Sequence, residues 1–189
     1  MKTTLKFLAV LFIATTISSC GSKGVDQATK DAIAKFDADW SAMLANSMEF
    51  VSSLQTSIDD MTQKHQAMRT EMSDMTEDQM ALLRADMEVC MKTESDAKAL
   101  HDAAVSSIND WTQAQTDNWT EGTGWEDWKK DVEEKKVNQE DATKLLEEWN
   151  AKLTEANTAI QKWNDDWSAM NLVHIAAEAN MTNTKEGIN

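Results

Sequence analysis

The chain of 189 residues contains no proline, and none of its five glycines lies between Val25 and Glu121. Tight turns between strands need glycine or proline at close intervals, so this gap excludes a β-sandwich or a β-barrel. It also excludes a glycine-rich phosphate loop and a dinucleotide-binding fold, because both motifs require several clustered glycines. The chain must therefore be built from long helices.

Apolar residues recur at spacings of three and four from Ile33 onward, which places them on one stripe of a helix. This periodicity predicts long helices over about 26–72, 77–118 and 139–180 and a small helix near 124–136. The last residues, from Thr182 to Asn189, lack the pattern, and we expect them to be frayed.

Helix starts are marked by polar residues with an acceptor side chain. Thr76 and Gln79 have the spacing of a capping box, and Thr123 and Glu126 have the same spacing before the small helix. Asn138 precedes an acidic turn and should start the last long helix.

These elements predict an all-α fold, an elongated antiparallel three-helix coiled-coil bundle with a short extra helix in the second connection. Counting residues back from each turn predicts that Trp40, Trp111 and Trp149 share one layer. The same counting places His65 near Arg84 and His101 near Met48. It therefore predicts that the three histidines do not converge, which argues against a zinc or catalytic histidine cluster.

The N-terminal segment has the features of a secretory signal: Lys2, an apolar run over Phe7–Ile13, and small residues before Cys20. The sequence Ile17-Ser18-Ser19-Cys20 resembles the lipobox of bacterial lipoproteins. That resemblance implies cleavage before Cys20, a diacylglycerol on its sulfur and an acylated amine. The alternative is an ordinary secreted protein with a chance cysteine at the cut site.

The resemblance divides the chain into four parts. They are a signal peptide (1–19), a lipidated tether (20–25), a helical bundle domain (26–181) and a disordered tail (182–189). No cofactor is expected beyond the lipid on Cys20. Gly21 stands where enteric bacteria use Asp for inner-membrane retention, which favours the outer membrane. The side of the membrane and the oligomeric state stay open.

The charge of the chain bears on its partners. It has 18 Lys and Arg against 33 Asp and Glu, a net charge of −15, and loss of the two lysines of the signal leaves −17. A polyanion such as nucleic acid is repelled by this charge. The expected partners are the membrane, through the lipid anchor, and another envelope protein.

The lipobox, the Met- and Trp-rich helices and the acidic surface together loosely resemble small helical lipoproteins of Bacteroidetes-type bacteria, some labelled "viral A-type inclusion protein". That resemblance assigns no functional residue.

Trp119, Trp125 and Trp128 lie in or near the second connection and have two interpretations. The first is that their large rings fill a wide three-helix core. The second is that the rings are partly exposed and bind a partner or rest on the lipid interface.

The methionines around the 73–76 turn also have two interpretations. Methionine is a flexible filler of imperfect cores, and Cys90 is then a small buried apolar residue. Alternatively, soft thioether, thiolate and imidazole groups suit Cu(I) or Ag(I). The spacing His65-x-x-Met68 resembles that of bacterial periplasmic copper- and silver-binding proteins. The candidate ligands of that site are Met61, His65, Met68, Met72 and Cys90.

No residues combine into a catalytic site. Paired acids such as Glu147-Glu148 belong to solvated helix faces, and no Ser/His/Asp arrangement is present in the pattern. The sequence therefore predicts a non-enzymatic, membrane-anchored envelope lipoprotein that acts as a helical interaction or spacer module. The alternative is an envelope protein that binds a soft metal.

Overall fold

The protein is seen in a computed structural model that describes residues 24–120 and 122–188. Four helices account for most of these residues: α1 (Gln27–Met72), α2 (Glu77–Asp117), α3 (Trp125–Glu133) and α4 (Gln139–Ile188). Within the described ranges the only strand-like pairing is an isolated bridge between Thr120 and Thr123. The prediction of an all-α fold is confirmed. Cys20 and the predicted signal peptide lie outside the described residues.

Polar caps define where the helices begin, largely as the sequence predicts. The Asp26 carboxylate accepts a hydrogen bond of 2.8 Å from the Thr29 amide, which lowers the pKa of Asp26. Thr76 and Gln79 form the expected capping box at the start of α2. The Asn138 side chain accepts from the Asp141 amide at 2.9 Å, immediately before α4.

The small helix α3 starts differently from the prediction. Its N-cap is Gly124, which has no side chain to donate or accept, whereas Thr123 was expected to cap it. Thr123 instead exchanges two backbone hydrogen bonds with Thr120, of 2.9 and 3.0 Å, and so closes the loop. A Cβ atom at Gly124 would lie 2.0 Å from the Thr116 carbonyl oxygen, so only glycine fits where this loop meets the end of α2.

The last helix is longer than predicted. We expected it to end near 180 and the chain to fray from Thr182, but α4 continues to Ile188. Met181 is buried, and Lys185 forms an ion pair with Glu71 at the end of α1. These contacts with the rest of the bundle stabilise a turn whose own sequence is not amphipathic.

The three long helices pack against one another as a helical bundle. The start of α1 meets the start of α4, where the Asp26 amide donates to the Gln139 side chain at 2.8 Å. No helix in residues 24–120 or 122–188 has the length and apolar character that crossing a membrane requires.

The buried side chains form two separate clusters. The larger one follows the bundle from Ile33 to Trp163 and contains most of the aromatic rings. We call its densest part the tryptophan cluster; its members are Phe36, Trp40, Trp119, Trp125, Trp128 and Trp149. The smaller one, the methionine cluster, contains Leu83, Cys90, Ala177 and Met181, with Met68, Met72, Met75 and Met87 packed against them.

The predicted aromatic layer is correct for two of its three residues. The rings of Trp40 and Trp149 lie 5.3 Å apart, edge to face. Trp111 does not join them; it stacks on Trp163 at 5.5 Å, and Phe50 also stacks on Trp163, at 5.9 Å. The counting failed for Trp111 because it took the helices to fold back at the turns with no offset along their axes.

Candidate functional site

Three metal-binding side chains from three different helices meet in the interior. They are His65 of α1, Cys90 of α2 and His174 of α4, and one ligand atom of each lies within 4.8 Å of the other two. All three residues are buried, with exposed fractions of 4%, 0% and 3%. The two imidazole rings have centroids 5.5 Å apart. We call these three residues the histidine–cysteine layer.

This convergence overturns the prediction that the histidines stay apart. His65 was expected near Arg84, but it meets Cys90 and Glu94, six and ten residues further along the chain. The prediction was wrong for the same reason as for Trp111, an unforeseen offset between the helices. Of the three histidines, only His101 stays apart from the others: it is partly exposed and its Nδ1 lies 3.2 Å from Asp102.

A carboxylate orients the first histidine. Glu94 lies beside His65 Nδ1 and also accepts hydrogen bonds from Thr62, at 2.8 Å, and from Lys98. Burial opposes the ionisation of Glu94, but the hydrogen bonds from Lys98, His65 and Thr62 outweigh it and lower its pKa to about 2. An ionised carboxylate can only accept, so His65 Nδ1 carries a proton.

The opposite nitrogen of the same ring is free. His65 Nε2 is buried and has no hydrogen-bond partner among the described residues. Once Nδ1 is protonated in the neutral ring, Nε2 presents a lone pair. A histidine that donates one N–H to a carboxylate and offers the other nitrogen is the usual arrangement of a metal ligand.

The second histidine is also short of partners. Neither ring nitrogen of His174 makes a hydrogen bond within residues 24–120 and 122–188. Its Nε2 lies 3.3 Å from a Glu178 oxygen, but the geometry of this contact is not that of a hydrogen bond. Burial lowers the pKa of His174, against the opposing pull of Glu178, and so favours the neutral imidazole.

Cys90 is a protonated thiol in this environment. Burial, followed by the negative charges of Glu178 and Asp86, raises the pKa of Cys90 to about 11. The expectation that Cys90 is a small buried residue on the helix seam is confirmed. A thiol of such high pKa has little thiolate character on its own, and a cation is needed to displace its proton.

The metal ligands predicted from the sequence are only partly brought together. His65 and Cys90 meet, while Met68 and Met72 are half-buried members of the methionine cluster. Met61 is buried but belongs to neither cluster of the described core. The sequence prediction missed His174, although its position on the apolar stripe of the last helix could have placed it in the interior.

The tryptophans proposed as a partner surface are not exposed. Trp119, Trp125 and Trp128 have exposed fractions of 2%, 2% and 5%. The prediction that they are partly exposed is wrong, because Trp119 and Trp125 pack on Phe36 and Trp128 packs against both of them. Trp119 also stacks on Trp149. The alternative interpretation, that they fill a wide core, agrees with this packing.

The apolar residues that do face solvent lie elsewhere. An open groove of about 410 Å³ runs between α2 and α4 and is lined by residues including Val89, Met170 and Val173. Val89 and Val173 are themselves exposed, and so are the nearby Leu82 and Leu172. An open apolar groove of this kind can receive another apolar side chain.

No protein-family model, no curated protein and no solved structure matches the chain. Its function has to be inferred from its own residues.

Proposed function

We propose that the chain is a lipid-anchored protein of a bacterial cell envelope that acts as a non-enzymatic helical spacer and interaction module. One observation carries the proposal: a lipobox-like sequence ends at Cys20, and a long helix is capped at Asp26, six residues later. A lipid on Cys20 would hold the helical body directly above the membrane surface. The absence of an Asp after Cys20 favours the outer membrane.

The form of the body suits a spacer. Helices α1, α2 and α4 contain 46, 41 and 50 residues, which at about 1.5 Å per residue are rods of roughly 60–75 Å. We propose that they form an antiparallel three-helix coiled coil with α3 in the second connection. In such a bundle the first and third long helices run in the same direction, opposite to the second. The contacts of α1 and α4 support this, because their starts meet at Asp26 and Gln139 and their ends meet at Glu71 and Lys185.

The groove between α2 and α4 is the surface we propose for an envelope protein partner. It is lined mostly by apolar atoms, and exposed Val89 and Val173 flank it. Lys92 and Asp96 also line it and could orient a polar edge of the partner. An amphipathic helix that places one apolar stripe in the groove has the matching chemistry.

The anchor is tested with the two cysteines of the chain as a matched pair. Cys20→Ala should release the protein from the membrane fraction, whereas Cys90→Ala should leave it there, because only Cys20 follows the lipobox residues. Mass spectrometry of the retained protein should find the lipid on the N-terminal residue. Retention of Cys20→Ala in membranes, or an unmodified N-terminus, would refute the anchor.

The groove is tested by photo-crosslinking in living cells. A photoreactive residue at position 173 should yield a discrete cross-linked species, and one at Glu155, on an exposed polar part of α4, should not. Val89→Asp should abolish the species by placing a charge in the groove. Equal cross-linking from both positions would argue against a defined partner surface.

A further inference from the structure

We propose that His65, Cys90 and His174 form a binding site for a single Cu(I) ion in the interior of the bundle. This inference goes beyond the spacer role and does not depend on the lipid anchor. It rests on the convergence of two imidazoles and one thiol within 4.8 Å, in a part of the core surrounded by thioethers.

The ring nitrogens that face the layer do not hydrogen-bond to one another, which leaves their lone pairs free to bind a cation. His65 Nε2 and both nitrogens of His174 are buried without hydrogen-bond partners in the part of the chain that the structure describes. A buried, unpaired polar atom is destabilising, and native interiors contain few of them. A metal ion that accepts one lone pair from each ring explains two of the three, and the remaining nitrogen of His174 carries the proton of its neutral ring.

Glu94 is the positioning residue of the site. Its carboxylate accepts a hydrogen bond from His65 Nδ1–H, which fixes the ring and leaves the buried Nε2 free. Glu94 is itself held by Thr62 and Lys98, so the carboxylate has a fixed place.

The spacing requires only a small adjustment. Metal–sulfur and metal–nitrogen bonds of about 2.0–2.3 Å place ligand atoms roughly 3.5–4 Å apart around a central ion. The three atoms here lie within 4.8 Å of one another, so side-chain shifts of about 1 Å would close the site. Half-buried methionines pack beside it and can accommodate such shifts because their side chains are flexible.

The charge of the site favours a monovalent ion. Binding breaks the Cys90 S–H bond, releases that proton to solvent and forms a metal–sulfur bond, while each histidine donates one lone pair. Cu(I) with one thiolate and two neutral imidazoles has no net charge, which a buried apolar environment accepts. No electron is transferred, because copper enters and remains as Cu(I).

The neighbours favour copper over zinc. Zinc sites are usually four-coordinate, and the Glu178 carboxylate, 3.3 Å from His174 Nε2, could supply a fourth ligand, so the preference for copper rests on the sulfur donors. The remaining side chains of the methionine cluster offer thioethers, which are soft donors that select Cu(I). Met68 and Met72, which belong to that cluster, follow His65 on α1 by about one and two turns.

The test uses the full chain in detergent, with Cys20→Ser in every protein so that Cys90 is the one thiol. Cu(I) is supplied without oxygen from a coloured Cu(I) chelator, and its transfer to the protein is measured by competition. We expect one Cu(I) per chain with a Kd well below about 1 μM. His174→Gln and Cys90→Ser should each weaken binding at least 100-fold, and Glu94→Gln about 10- to 100-fold.

The control is His101→Gln, which removes the histidine outside the layer and should leave the Kd unchanged. X-ray absorption on the copper-loaded, unsubstituted layer provides a measurement that needs no variant at these positions to fold. It should show two nitrogens and one sulfur around copper, with any methionine sulfur as an addition.

Three outcomes would overturn the proposal. The first is no Cu(I) binding tighter than about 1 μM, which would leave the layer as a register-setting polar contact. The second is unchanged binding by a folded His174→Gln variant, or a copper site with sulfur ligands alone. The third is preferential binding of one Zn(II) that Cu(I) does not displace.

Discussion

The tryptophan cluster and the methionine cluster both fill the interior of the bundle, but with different kinds of side chain. In the first, rigid rings meet at centroid distances of 4.0 to 5.9 Å, and the indoles of Trp125 and Trp149 donate hydrogen bonds to Asp37 and to the Trp119 carbonyl. In the second, flexible methionines pack against Cys90 and its apolar neighbours, and three of the four ring nitrogens of His65 and His174 lack partners within the described chain. The indole N–H groups of Trp40 and Trp119 also lack partners among the described residues, so the clusters differ in stiffness rather than in unpaired polar atoms. Interlocked rigid rings specify one packing, whereas flexible side chains leave room for a ligand.

Removing a ring from the tryptophan cluster should have the largest effect. Trp149→Ala deletes a ring that contacts Trp40 and stacks on Trp119 at 4.0 Å, and the expected loss in the free energy of unfolding is about 3–5 kcal/mol. Chemical denaturation followed by circular dichroism measures it. Trp167→Ala, at a half-buried site, is the control and should cost less; equal costs would contradict the view of a tightly specified cluster.

The second test of how tightly the packing is specified uses Gly124, whose backbone lies close to the Thr116 carbonyl oxygen. Gly124→Ala forces a Cβ against the Thr116 carbonyl oxygen, and the required backbone shift should cost about 1–3 kcal/mol of stability. Gly187→Ala is the matched control, because nothing lies within 4 Å of its Cβ and alanine favours a helix by up to about 1 kcal/mol. Thermal unfolding compares the pair, and a harmless Gly124→Ala would mean that the loop is not tightly fixed.

Beside the methionine cluster, removing the Glu94 side chain from the metal-free protein should lower the free energy of unfolding by a smaller amount. Glu94→Ala leaves Thr62 and His65 without their shared acceptor, at an expected cost of about 1–2 kcal/mol. Asp96→Ala removes an exposed ion pair with Lys92 and should cost under about 0.5 kcal/mol. Denaturant midpoints distinguish the two, and indistinguishable values would show that the carboxylate does not hold the layer.

Local signals in the sequence were reliable. The ends of α1 and α2 agree with the prediction, because the Thr76–Gln79 capping box and the apolar periodicity act through neighbouring residues. Where tertiary contacts decide, prediction failed: Lys185 and Met181 extend α4, and the Thr120–Thr123 pairing leaves Gly124 as the cap of α3.

The candidate site depends on an offset between helices that periodicity does not contain. The apolar stripe correctly places His65, Cys90 and His174 toward the interior, since each has the right position on its own helix. Which of them share a level depends on how the turns hold the helices along their axes. An error of six residues was enough to separate His65 from Cys90 and to hide the site.

The side chain of Gln139 has a mechanical consequence. It accepts from the Asp26 amide at 2.8 Å and donates to the Thr29 hydroxyl, so a single amide group fastens the first turn of α1 to the first turn of α4. Tension that reaches Asp26 along a lipid tether would be shared by both helices from the first turn. Peeling of α1 from its end would have to break this fastening before any buried layer came apart.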